Sequence, residues 1–142
     1  MEMHPDEEAT VKAFIVPSRR ERWLRALAST KRRKSFLNRL NHCPDIDERY
    51  ATLLPSSAQI AEVLRSHGAP ATCHVISDLA EIDGQAMQLN DVIDQIEYAQ
   101  WGTLISCIPG RLAYYYDESG ARRMLLQRSD TYAAEKTIGE LL

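Results

Sequence analysis

The sequence predicts an α+β fold: a helical N-terminal half packed on a small antiparallel sheet, made of a hairpin plus a three-stranded meander, with one inserted helix. Two observations support this class. Apolar residues recur at helical spacing through the first half, whereas the second half holds short β-compatible runs separated by turn sequences such as Asp83-Gly84 and Pro109-Gly110. We expect a single domain over residues 1–142, because this length suits one hydrophobic core and no linker divides it.

A short N-terminal helix is predicted within residues 1–17. Asp6 can cap it, the acids that follow complement the helix dipole, and Pro17 ends it. Two amphipathic helices then form a predicted basic helical hairpin over residues 18–42. The first begins with a capping-box pattern, Ser18 with Glu21, and carries an apolar stripe. The second repeats this stripe thirteen residues later, which favours packing of the two helices against each other.

The rest of the chain is predicted as follows. Residues 43–56 read as a connecting loop with room for one helical turn, and a further helix begins near Ser56 and ends at Gly68. A hairpin is expected between residues 79–82 and 86–89, followed by the inserted helix, which Asn90 can cap. The meander comprises residues 103–108, 111–116 and 122–127, and residues 129–142 are expected to form a polar tail or a short helix.

Charge is distributed very unevenly along the chain. Residues 11–42 contain ten Lys or Arg and one acid, whereas residues 43–142 contain seven Lys or Arg and fifteen acids. Such segregation indicates a docking surface for a negatively charged molecule. The predicted basic patch consists of Arg19, Arg22, Arg32, Arg33, Lys34 and Arg39.

We therefore expect a non-catalytic protein-interaction module, whose basic helical hairpin binds an acidic protein surface or a second copy of the chain in a homo-oligomer. The competing interpretation is a solvated helix face balanced by acids elsewhere in the fold. A second function would use the same cations: a nucleic-acid-binding regulator would contact backbone phosphates, with strongly salt-dependent affinity. No base-reading motif is present, and the sequence pI of about 5.8 is low for a dedicated nucleic-acid binder.

A second candidate patch lies on the meander, where an exposed tyrosine beside an arginine would form a plausible contact surface. Its residues are Arg111, Tyr114, Tyr116 and Arg122. The alternative is a strand covered on both faces, and the sequence does not separate the two.

The third functional class is a small enzyme centred on Cys107 or His74, because a thiol becomes nucleophilic when an imidazole lies within hydrogen-bond reach. No catalytic motif supports this hypothesis, so no catalytic residue is assigned. No cofactor or metal site is expected either, since phosphate loops and paired Cys-x-x-Cys ligands are absent from the sequence. Three widely spaced cysteines and the lack of a signal peptide or a long apolar run suggest a cytoplasmic protein that does not enter membranes.

Overall fold

The computed structural model of the chain describes residues 3–129. Six strands form one sheet, and they are β1 (Ala51–Leu53), β2 (Thr72–Ser77), β3 (Ala86–Gln88), β4 (Thr103–Ile108), β5 (Leu112–Tyr116) and β6 (Arg123–Gln127). They are hydrogen-bonded in the order β1-β6-β5-β4-β2-β3, and every neighbouring pair is antiparallel. Strands β4, β5 and β6 form the meander that the turn residues predicted.

Residues 3–129 contain five α-helices, and they are α1 (Pro5–Phe14), α2 (Arg20–Ala28), α3 (Thr30–Phe36), α4 (Ile60–Ser66) and α5 (Leu89–Ala99). Helices α1 and α2, with the turns that follow α3, pack on one face of the sheet, and α4 and α5 pack on the other. The α+β class is therefore confirmed. None of the described helices is long and apolar enough to cross a membrane.

Strand β5 shows why both faces of the sheet are apolar. Its side chains alternate, so that Ala113 and Tyr115 pack with the N-terminal helices while Leu112, Tyr114 and Tyr116 pack under α4 and α5. All five residues are at most 2% exposed. Because both sides of β5 are covered, its side chains are aliphatic or aromatic, and the tyrosine hydroxyls are their only polar groups.

Four helix starts differ from the prediction. Helix α4 begins at Ile60 rather than near Ser56, and Gln88 rather than Asn90 precedes α5. The cap of α1 is His4, whose Nδ1 accepts the N–H of Asp6 at 3.1 Å, because Pro5 is well suited to the first helical position and moves the start two residues earlier. Ser18 does not cap α2, because residues 17–19 form a 3₁₀ turn and α2 begins at Arg20 without a side-chain cap. Ser29 caps α3, which continues as a 3₁₀ turn over residues 37–40.

The predicted hairpin exists with a different first strand. Strand β3 pairs with β2, and residues 79–82 belong to the turn between them. Two side-chain contacts hold this turn: Ser77 accepts the N–H of Leu79 at 3.0 Å, and Asp83 accepts the N–H of Ser77 at 3.0 Å. Because these bonds satisfy the backbone locally, the turn replaces the expected strand.

Strand β1 was not predicted. Residues 43–56 were expected to form a loop with one helical turn; they contain that turn, a 3₁₀ turn at residues 48–50, and in addition β1, which pairs with β6. A three-residue strand is too short to show alternation, so only the unpaired edge of β6 determines its conformation. The predicted tail, residues 129–142, lies outside the described residues after Ser129. The single-domain assignment stays a prediction.

Candidate anion-binding groove between helices α2 and α3

Arg33 lies at the centre of the predicted basic patch, but its charge is used inside the fold. Its Nη1 and Nη2 donate to the two carboxylate oxygens of Glu7 at 2.7 and 2.8 Å, and its Nε and Nη2 donate to Asp83 at 2.7 and 3.0 Å. Nη1 also donates to the carbonyl of Leu27 at 3.2 Å. All five guanidinium N–H groups therefore have acceptors, and Arg33 joins α3 to α1 and to the turn after β2.

The electrostatics of this cluster keep both partners ionised. Burial by itself raises the pKa of Glu7, but hydrogen bonds from Arg33 and His74, together with their charges, lower it from 4.5 to about 2. The hydrogen bond with Glu7 raises the pKa of Arg33 despite its burial. Since two carboxylates surround one guanidinium, Arg33 offers no net positive charge to an outside molecule, contrary to its predicted binding role.

Arg39 is held in a similar way by Asp45. Its Nε donates to Asp45 Oδ2, and its Nη2 donates to Oδ1 at 3.2 Å, while the indole N–H of the fully buried Trp23 donates to Oδ2 at 2.9 Å. Burial opposes ionisation of Asp45, but the hydrogen bonds from Arg39 and Trp23 lower its pKa. Arg39 therefore anchors the turn after α3 and is a second correction to the predicted binding set.

The remaining cations of the hairpin have a different environment. Within residues 3–129, none of the following exposed side chains is in an ion pair: Arg19, Arg22, Lys31, Arg32 and Lys34. Arg22 makes one contact with an aromatic ring, its guanidinium carbon lying 5.9 Å from the centroid of Phe36. Four of the six predicted residues are thus accessible, and the fold adds Lys31 to them.

A groove of about 660 Å³ lies between α2 and α3 among these cations. Three cations and one acid, Glu21, line it, and Ala26 and Phe36 contribute apolar surface; the cations are Arg22 and Arg25 of α2 and Arg32 of α3. Phe36 packs edge-on against the buried Trp23, with 4.9 Å between the ring centroids, so this wall is attached to the hydrophobic core.

The chemistry of the groove suits an anion. Arg25 forms an ion pair with Glu21, and both side chains are more than 70% exposed, so a competing carboxylate can reach the guanidinium at little cost. Arg22 and Arg32 have no such partner among the described residues. Guanidinium groups match the planar, bidentate geometry of carboxylate oxygens, and the apolar wall can cover the stem of an acidic side chain.

The second candidate patch is not assembled. Tyr114 and Tyr116 are 0% and 1% exposed, because α5 covers their face of the sheet. Arg122 donates to the carbonyl of Cys43 at 3.0 Å and lies over the ring of Tyr115, on the opposite face. Arg111 is exposed at the turn between β4 and β5. The interpretation of a strand covered on both faces is the one the structure supports.

The thiol and imidazole considered for catalysis do not meet. Cys107 packs with α4 and α5 next to Cys73, whereas His74 faces α1 on the other side of the sheet and contacts Glu7 at 2.7 Å. A hydrogen bond with Cys73, together with burial, raises the pKa of Cys107. A protonated thiol without an adjacent base is a poor nucleophile.

The contacts of Glu7 and His74 were missed by sequence reasoning, because they join positions 67 residues apart. The one signal in the sequence was Glu7, an acid on the apolar side of α1, because a buried carboxylate needs a cation such as Arg33 inside the fold. No family model, no curated protein and no solved structure matches this chain, so its function has to be argued from this geometry alone.

Proposed function

We propose that the protein is a non-catalytic interaction module whose α2–α3 groove binds a carboxylate-rich segment of a partner protein. The observation that carries this proposal is that the cations of the hairpin differ in their partners. Arg33 and Arg39 form ion pairs inside the fold, whereas Arg22 and Arg32 line the groove and form no ion pair with a described residue. Like charges spaced three residues apart on a helix, as in Arg22 and Arg25 of α2, which both line the groove, weaken the helix slightly. A negatively charged ligand would relieve this repulsion.

Carboxylate is favoured over phosphate for two reasons. The groove combines arginines with an apolar wall formed by Ala26 and Phe36, which suits an acidic peptide better than a bare phosphate backbone. The net charge of the whole chain is −3, so an extended nucleic acid would be repelled outside the basic hairpin. Because the three cysteines are free thiols, we also place this module in the cytoplasm.

A second copy of the chain is one source of the acidic surface. Helix α5 presents Asp91 and Asp94 on its exposed side, with Glu97 one turn further on. The acidic face of one molecule would then bind the basic groove of the next, a head-to-tail contact between different surfaces. Sedimentation at low and high salt distinguishes this source from a different partner protein.

The test uses a fluorescent glutamate-rich peptide and a single-stranded DNA of equal charge, with binding followed by anisotropy at low salt. We expect the peptide to bind the full chain. Arg22→Glu and Arg32→Glu should each weaken this binding by about tenfold, because a charge-assisted hydrogen bond contributes roughly 1.5–3 kcal/mol. Arg65→Glu is the matched control, since Arg65 is exposed on α4, on the other side of the sheet.

Three outcomes decide the matter. Peptide binding that is weakened by about tenfold or more in both groove variants and unchanged in Arg65→Glu supports the proposal. Absence of peptide binding, or equal weakening by all three substitutions, refutes it. Tighter binding of the DNA than of the peptide, with an affinity that falls linearly with salt on logarithmic axes, would replace it with the nucleic-acid hypothesis.

A further inference from the structure

A group of two histidines and one aspartate lies where the start of α1 meets strand β2. One nitrogen each of His4 and His74 and one carboxylate oxygen of Asp6 all lie within 4.8 Å of one another. The two imidazole rings are stacked, with 4.0 Å between their centroids and 19° between their planes. Imidazole nitrogen and carboxylate oxygen are donors that zinc and its neighbours in the first transition row accept readily.

The orientation of His74 is set by Glu7 behind it. Both carboxylate oxygens of Glu7 accept hydrogen bonds from Arg33, so in the 2.7 Å contact between Glu7 and His74 the carboxylate accepts and the Nε2 of His74 donates. The other ring nitrogen of His74, Nδ1, has no hydrogen-bond partner among the described residues. A carboxylate that holds the other ring nitrogen is the usual support of a metal-binding histidine.

The local charge also favours a dication. Asp6, Glu7 and Asp83 bring three carboxylates, and Arg33 is the one cation that bonds to two of them. Three carboxylates against one guanidinium leave this group with a surplus of negative charge next to the candidate ligands. The positive end of the α1 dipole opposes a bound cation, but the acids of the first turn offset it.

We propose that His4, Asp6 and His74 form a binding site for a divalent transition-metal ion such as Zn²⁺. Around a tetrahedral zinc ion, ligand atoms about 2.0–2.2 Å from the metal lie about 3.4 Å apart. The three ligand atoms, which now lie within 4.8 Å of one another, must therefore approach each other by roughly an ångström. His4 gives up its exposed hydrogen bond with the N–H of Asp6, and side-chain rotation separates the stacked rings. Three protein ligands leave the fourth position to water.

The bound ion would attach the N-terminus of α1 to strand β2, seventy positions away in the chain. Binding that requires the folded arrangement stabilises it, so the metal should raise the melting temperature. This inference is independent of the α2–α3 groove, because none of the three ligands lines that groove.

The experiment uses tag-free, metal-stripped full-length protein, titrated with Zn²⁺ by calorimetry and with Co²⁺ by visible absorption. We expect one ion per chain, a rise in melting temperature with Zn²⁺, and a Co²⁺ spectrum of low coordination number. His4→Ser keeps a capping side chain at the start of α1, and Asp6→Asn keeps the side-chain shape, so both variants should fold. Each should lose at least about tenfold in affinity.

His67→Ser is the matched control, because His67 is exposed at the end of α4. Affinity that falls in His4→Ser and Asp6→Asn and is unchanged in His67→Ser supports the site. Lack of stoichiometric binding to the unmodified chain, or equal affinity in all variants, overturns it.

Discussion

Arg32 and Arg33 are neighbours in α3, yet their side chains have opposite environments. Arg32 is exposed at the groove, whereas the side chain of Arg33 is 19% exposed and lies between the carboxylates of Glu7 and Asp83. Removing one member of a buried ion cluster leaves the others charged and without a partner, and this costs more than the cluster contributes in total. The two residues therefore allow a direct comparison of an anchoring cation with an accessible one.

We expect Arg33→Gln to lower the free energy of unfolding by about 3–5 kcal/mol, because Glu7 and Asp83 lose their shared cation. Arg32→Gln should change it by less than about 0.5 kcal/mol, as for most exposed positions. Urea unfolding followed by tryptophan fluorescence measures both values, since Trp23 is fully buried nearby. Equal stability of the two variants would show that the ion cluster does not anchor the hairpin.

At the scale of elements, the pairing of the three-residue strand β1 with β6 predicts which N–H groups of β1 are hydrogen-bonded. Leu54 donates its N–H to the carbonyl of Arg123 at 2.7 Å. Hydrogen-bonded pairs alternate along an antiparallel ladder, and Thr52 lies opposite Leu125 in the register. It follows that the N–H of Thr52 points to β6, whereas the N–H of Leu53 points away from the sheet.

Proline substitutions test this alternation. Thr52→Pro should lower the free energy of unfolding by roughly 1–3 kcal/mol, since it removes a donor and leaves the carbonyl on β6 without a partner. Leu53→Pro is the control and should cost less, because proline is tolerated in edge strands where the N–H faces outwards. Urea unfolding of both variants gives the comparison. If the two substitutions cost the same, the register of β1 is wrong.

The contact between the 3₁₀ turn after α3 and the start of β4 is the other element-scale feature that holds the hairpin in place. Asn41 accepts the N–H of Gly102 at 2.8 Å and donates to Asp78 at 2.8 Å. A Cβ on Gly102 would lie 2.6 Å from the backbone of Leu40, so only glycine fits there without movement of the chain. The C-terminal end of the helical hairpin is therefore attached to the sheet through Asn41 and Gly102.

At the scale of the whole molecule, the reactivity of the three cysteines depends on how completely the fold buries them. All three are free and buried. Burial raises the pKa of Cys43 to about 11, and the hydrogen bond between Cys73 and Cys107, with burial, raises the pKa of Cys107 while it lowers that of Cys73. The environments of Cys43 and Cys107 favour the thiol over the nucleophilic thiolate, and Cys73 is buried away from an outside reagent.

We expect slow reaction of the native protein with a thiol reagent at mildly alkaline pH, at rates that rise with denaturant as the fold opens. The unfolded chain serves as the control and should react at all three cysteines. The colour released by a disulfide reagent measures both. One fast-reacting thiol in the native state would revive the hypothesis of an enzyme centred on Cys107.

The amino-acid sequence by itself determined the α+β class, the meander of β4 to β6 and the basic character of the helical hairpin. These features depend on residues close together in the chain: apolar spacing along one element, turn dipeptides between two strands, and a local excess of Lys and Arg. The same local information misplaced the start of α2 and the first strand of the hairpin, where a 3₁₀ turn and side-chain bonds to the backbone prevailed.

Only the tertiary structure decided which cations remain accessible. Arg33 meets Glu7 and Asp83 across separations of 26 and 50 residues, and His4 meets His74 across seventy. Long-range contacts of this kind depend on the order of the strands and on which face of the sheet each helix covers. Helical periodicity places Arg32 and Arg33 on one helix, but the carboxylates that arrive from α1 and from the turn after β2 determine that only Arg33 is neutralised.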